Sequence, residues 1–169
     1  MRRVAILDTE TTGTGPDDVA IEVACIVYSV EYAAPVRSFA SLIRASSNPA
    51  EHVNRIPPAL LADAPEAANV WAGVAKLCAG VDAVLAHNAE FDRRFMPTSV
   101  WSRPWICTMD DLAWPCATRA GEGLVSLTLA HGLGVANAHR ALADCDMIAR
   151  LLTRVRCARR RRGRPPRRR

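Results

Sequence analysis

The 169-residue sequence predicts an α/β fold with a mixed five-stranded sheet flanked by helices. Three observations carry that expectation. Three strand-like runs follow one another before residue 45, helix-like and strand-like stretches alternate after them, and the length suits one domain with a single substantial core.

Arg3–Leu7 reads as a short strand buried on both faces. The Gly- and Pro-rich "TGTGPDD" then makes a turn. Val19–Val30 and Pro35–Arg44 carry β-branched and apolar residues at strand spacing, which suggests an antiparallel meander with Asp8 at the far end of its first strand. Ser46–Arg55 reads as a loop, and Pro57-Pro58 opens a helical turn or two over Ala59–Asp63. In Pro65–Ala79 the spacing of Val70, Val74 and Leu77 predicts a helix that stops at Gly80. Val81–Ala86 is a short apolar strand, and Asn88 is placed to cap the helix after it. Trp105–Cys107 predicts a strand, Asp110–Ala113 a helical turn, and Leu124–His131 and Arg140–Val155 two helices. The last has Leu142, Ile148, Leu151, Leu152 and Val155 on its apolar face.

Composition narrows the class. Apolar residues are 50% and charged residues 23% of the chain, the balance of a globular protein. No uncharged apolar run approaches the ~20 residues that span a bilayer, and the apolar stretch after Met1-Arg2-Arg3 ends too soon for a signal peptide. The expected compartment is the cytoplasm, with no membrane partner. Six cysteines without a CxxC pair argue against a zinc site or a disulfide framework.

The net charge of +5 is unevenly spread. Residues 156–169 hold nine arginines and no acid, which leaves 13 basic against 17 acidic residues before them. The expected organisation is a mildly acidic domain over residues 1–155 and a disordered arginine-rich tail over residues 156–169.

Acids stand where the pattern expects the edge of a core. Asp8 and Glu10 are two apart, so on an extended strand they share a face. Asp92 follows a buried strand, and Asp144 lies in the last helix five residues after His139. Converging carboxylates repel one another unless a cation sits among them. Oxygen-only ligands favour Mg²⁺ or Mn²⁺, and two such ions about 4 Å apart suit hydrolysis of a phosphodiester, with a histidine as base. Taken singly, each residue has a plainer explanation as a turn acid, a helix cap or a surface histidine.

The order and wording of the motifs say more. "DTETTG", "HNAEFDRRF" and "HRALADCD" resemble the three exonuclease motifs of the DnaQ-like, DEDDh-type 3′–5′ exonucleases over about residues 4–152. "AHNAEFDRRFMP", "WICTM" and a "WP" pair extend the likeness to the exonuclease-X-like branch. The resemblance implies a ribonuclease-H-like fold and two Mg²⁺ or Mn²⁺ ions. Asp8 would bridge them, Glu10 and Asp144 would complete the first site, Asp92 would hold the second ion, and His139 would be the general base. The His-x₄-Asp spacing of His139 and Asp144, with no tyrosine nearby, fits the histidine class of that group.

The resemblance also implies substrate contacts at Thr11, Thr12, Ile56, Asn88 and Phe91, although core packing would equally explain Ile56 and Phe91. Asp17, Asp18, Glu22 and Asp146 are not assigned to metal, and Glu22 is expected to serve the fold or support the site. The function implied is a 3′–5′ exonuclease releasing nucleoside 5′-monophosphates in repair or proofreading. Its partner is nucleic acid, DNA ahead of RNA, and a repair or replication protein is a candidate partner. The rivals are an exoribonuclease that trims RNA ends and a nucleic-acid-binding module without turnover.

Overall fold

Residues 2–100 and 102–162 are described by the computed structural model. Strands β1 (Arg3–Thr11), β2 (Ala20–Ser29), β3 (Ala34–Leu42), β4 (Ala83–Ala86) and β5 (Trp105–Cys107) form one sheet in the order β3-β2-β1-β4-β5. The three N-terminal strands pair antiparallel, while β1–β4 and β4–β5 pair parallel, so the sheet is mixed as expected. The helices are α1 (Glu51–Asn54), α2 (Pro58–Ala62), α3 (Ala67–Ala79), α4 (Ala89–Phe95), α5 (Leu124–Ala130) and α6 (Ala141–Arg162).

β1 lies at the centre and is covered on both faces. Val4 and Ile6 pack towards Ile148 and Leu151 of α6, whereas Ala5 and Leu7 pack towards Val70, Val74 and Cys78 of α3. That two-sided burial explains why "VAIL" is a continuous apolar run rather than an alternating one. Parallel pairing brings the carboxyl ends of β1 and β4 to the same edge of the sheet.

Several expectations change. β1 does not stop at Leu7 but runs to Thr11, because β2 pairs with it through Glu10↔Glu22 and Thr11↔Ala20. A helical turn, α1, interrupts the expected loop at 46–55. The Asn48 side chain closes it by donating to Asn54 Oδ1 and to the Ile56 carbonyl, 2.8 Å each, a staple that periodicity does not reveal. The expected helical turn at 110–113 lies slightly earlier, over residues 108–111, closed by the Asp111 N–H donating to the Cys107 carbonyl at 2.8 Å. Leu142 is 42% exposed, since Ala141, Cys145 and Ile148 take the buried stripe of α6 and residue 142 lies about 100° around the helix.

α6 continues to Arg162, seven residues into the segment expected to be disordered. Arg156 lies at the far end of the sheet from Asp8, where its Nη2 donates to the Glu31 carbonyl in the β2–β3 turn at 2.9 Å. Residues 163–169, the rest of the expected tail, lie outside the described residues. No helix among the described residues is long and apolar enough to cross a membrane.

Candidate active site

The carboxyl end of β1 delivers Asp8 and Glu10 to one side of the sheet, and the first turns of α6 deliver Asp144 to the same place. One ligand oxygen from each of the three lies within 4.8 Å of the others. Asp92 comes from α4, directly after β4, and is 2% exposed. Its Oδ1 accepts from the Thr9 amide at 2.9 Å and from Thr9 Oγ1 at 2.8 Å, which fixes the carboxylate. Asp8, Glu10, Asp92, His139 and Asp144 all line one cavity of about 550 Å³. His139 is exposed at the cavity, with φ of 63° just before α6 begins.

The electrostatics are those of a crowded anionic site. Burial, then Asp92, Asp144 and Glu10, push Asp8 well above the ordinary carboxylate range. Burial, Asp144 and Glu22 push Glu10 up to about 8. Burial raises Asp92 to about 7 against the opposing Thr9 hydrogen bonds, and raises Asp144 to about 6 against the opposing charge of His139. Asp144 Oδ1 is buried without a hydrogen-bond partner. An orphaned carboxylate oxygen among three further acids fits a hard divalent cation, and the donor set of oxygens alone is the one such ions take.

The substrate residues implied by the resemblance divide. Thr11, Asn88 and Phe91 line the cavity. Thr12 does not, because its hydroxyl donates to Asp18 Oδ1 at 2.6 Å and accepts from the Val19 amide at 3.1 Å inside the β1–β2 turn. Asp18 also accepts from the Gly15 amide at 2.7 Å, so it organises that turn. Ile56 is 1% exposed and packed with Ile21 and Leu61, away from the cavity, so core packing is what it does. Asn88 sits at the start of α4 in the left-handed region, φ 64°, and its side chain makes no capping hydrogen bond. Asparagine tolerates that backbone conformation.

Four residues at the site carry no signal that sequence reasoning used. Val53 of α1 (43% exposed) and Val125 of α5 (36% exposed) join Phe91 as apolar walls of the cavity. Thr9 orients Asp92, and its place between the two motif acids was the available clue. His87 is held below its ordinary pKa by burial and is therefore neutral near pH 7. Its Nε2–H donates to the Glu122 carbonyl and its Nδ1 accepts from the Thr108 hydroxyl, 3.0 Å each, tying both ends of the 108–122 segment to the site.

Comparison with known proteins follows the same outline. A family model described as exonuclease (RNase_T) matches residues 5–152. Exodeoxyribonuclease 10 of Escherichia coli strain K12 is 33% identical over 157 residues, which cover 87% of this chain and 66% of that protein. The chain thus spans about two thirds of the length of that curated relative. Among solved structures, exonuclease X in complex with 5′ overhanging duplex DNA is 30% identical, with a TM-score of 0.71 and 92% of both chains covered. A single-stranded DNA complex of E. coli exonuclease I has a TM-score of 0.77 at 19% identity, covering 95% of this chain and 42% of that one, and it shows likeness of fold. The fold is ribonuclease-H-like, as expected.

Proposed function

The chain belongs to the RNase_T exonuclease family, and from that premise we propose that it is a 3′–5′ exodeoxyribonuclease dependent on two Mg²⁺ or Mn²⁺ ions. It removes nucleoside 5′-monophosphates from the 3′ end of DNA, in repair or proofreading. The observation that carries this reading is the convergence of Asp8, Glu10, Asp92, Asp144 and His139 on one cavity. Support for DNA comes from the 33% identity to a protein named an exodeoxyribonuclease and the 30% identity to one solved with duplex DNA.

In this reading Asp8, Glu10 and Asp144 would hold one cation, and Asp92 with Asp8 would hold the second. When bound, the cations lower the pKa of the attacking water and stabilise charge on the leaving 3′-oxygen. His139 takes the proton of that water as its oxygen bonds to phosphorus and the bond to the 3′-oxygen of the shortened strand breaks. Its exposure lets the proton pass on to solvent. Phe91, Val53 and Val125 receive the terminal base by apolar contact, which is tolerant of base identity. Thr11 and Asn88 flank the terminal nucleotide. The arginines of residues 156–169 add attraction to phosphates that weakens with salt.

With Mg²⁺ or Mn²⁺, the purified protein releases labelled mononucleotide from 3′-labelled single-stranded DNA, and the Asp8→Ala variant does not. If the wild type leaves DNA and RNA intact with either ion, the enzyme reading falls. If it trims RNA faster than matched DNA, the substrate reading falls.

A further inference from the structure

α6 must be set against the sheet so that Asp144 and His139 meet the acids of β1, and its own sequence offers little to fix its start. The residue before Ala141 is Arg140, which has no side-chain acceptor for the first helical amides. The missing acceptor comes from β2. Glu22, only 6% exposed, accepts the Ala141 amide on Oε2 at 3.0 Å. It also takes the Arg140 guanidinium, with Nη2 at 2.7 Å from Oε1 and Nε at 3.1 Å from Oε2. A carboxylate at a helix N-terminus answers both the orphan amide and the positive end of the helix dipole.

Two further placements give this contact its meaning. Glu22 lies directly across the β1–β2 pair from Glu10, so α6 is referenced to the rung of the sheet that carries a motif acid. Arg140 lies between His139, just before α6, and Asp144 within it. His139 precedes it in a left-handed conformation that a non-glycine residue holds only when its surroundings impose it, and the Asp144 amide donates to the Arg140 carbonyl at 3.1 Å.

We propose that the Glu22–Arg140 pair is a positioning brace that aligns His139 and Asp144 with Asp8 and Glu10, an inference that rests on the exonuclease reading. The brace touches neither substrate nor cation in this scheme and acts through the first turn of α6.

The test compares Glu22→Gln, Arg140→Gln and the double variant with the full wild-type chain. Arg140 is the safer probe of the two because its side chain is half exposed. In Mn²⁺, each single change lowers kcat by between about tenfold and about a hundredfold, the loss expected of a misplaced catalytic group. KM for the DNA end stays within about twofold. The double variant loses no more than the worse single one, because the two residues act as a unit. Without any metal or DNA, amide hydrogen exchange at residues 141–144 speeds up by about tenfold or more, while the amides of β1 and β2 keep their protection. The brace is overturned if kcat and first-turn exchange match wild type. It is equally overturned if kcat, KM and the sheet amides all deteriorate together, since that is general destabilisation. A wild type that cleaves nothing counts against the exonuclease reading instead, and the exchange measurement still decides the brace.

Discussion

Glu10 and Glu22 face each other across the β1–β2 pair, are buried to nearly the same degree, and lead opposite electrostatic lives. Glu22 meets a guanidinium and a helix amide, so its charge is answered within the protein. Glu10 meets Asp144, Glu22 and Asp92, with Arg140 the opposing charge, and is pushed up to about 8. A buried carboxylate answered by the chain is part of the scaffold. One left facing other carboxylates holds a place for a cation, and the protein bears the cost of keeping it there.

The strongest way to break this contrast is to remove the most perturbed acid. Asp8→Asn should lower kcat by about a thousandfold or more, on the scale of losing several kcal/mol of charge stabilisation. The same variant should melt at a higher temperature than wild type in EDTA at pH 8, because Asp8 must either carry a charge among other acids or take up a proton to fold, and asparagine needs neither. A lower melting temperature there would contradict the account of the cluster.

Next in size is the pH dependence of the metal-free protein. Glu10, Asp92 and Asp144 have folded-state pKa values raised to about 8, 7 and 6. Their contribution is therefore fully present below the unfolded carboxylate range, near pH 4, and is lost as pH climbs through those values. Thermal melts in EDTA should show stability falling between about pH 5 and pH 8. Adding Mn²⁺ at pH 8 should restore it and release protons. A flat profile would mean that the acids are answered by something other than a cation.

A smaller effect is expected where the site is already partly answered. Thr9→Val removes the hydroxyl that holds Asp92 Oδ1 but leaves the amide, so kcat should fall by about tenfold and the fold should persist. Steady-state kinetics beside circular dichroism check it.

The smallest effect concerns a pair in the other environment. Arg44–Glu66 is as short as Arg140–Glu22, 2.7 Å, but its side chains are 51% and 60% exposed. Arg44→Ala should change stability by less than about 1 kcal/mol in urea unfolding and leave kcat alone.

How far the sequence reached follows the same division between local and distant causes. Asp8, Glu10, Asp92, His139 and Asp144 could be named because three short motifs carry them, and the structure gathers them in one cavity. The succession of strands and helices along the chain was also legible, since it rests on apolar runs and turn residues. The extension of β1 to Thr11 was not, because Asp, Thr and Glu continue a strand only when β2 pairs alongside. Val53 rather than Ile56 lines the cavity because α1 is held by Asn48 and Asn54, contacts invisible to periodicity. Thr12 looked like a substrate contact from its neighbours in the motif, yet Asp18 claims its hydroxyl.

The direction of α6 sets a length scale for any DNA that this molecule handles. The helix begins beside the acids and passes Arg156 at the opposite pole of the sheet, about 22 Å along at 1.5 Å per residue. The cavity acids and Arg156 therefore stand towards opposite ends of one helix. At 3.4 Å per step, that separation corresponds to about six or seven base pairs of duplex. On the exonuclease reading, an oligonucleotide shorter than this meets either the cavity acids or Arg156, and a longer one can span both.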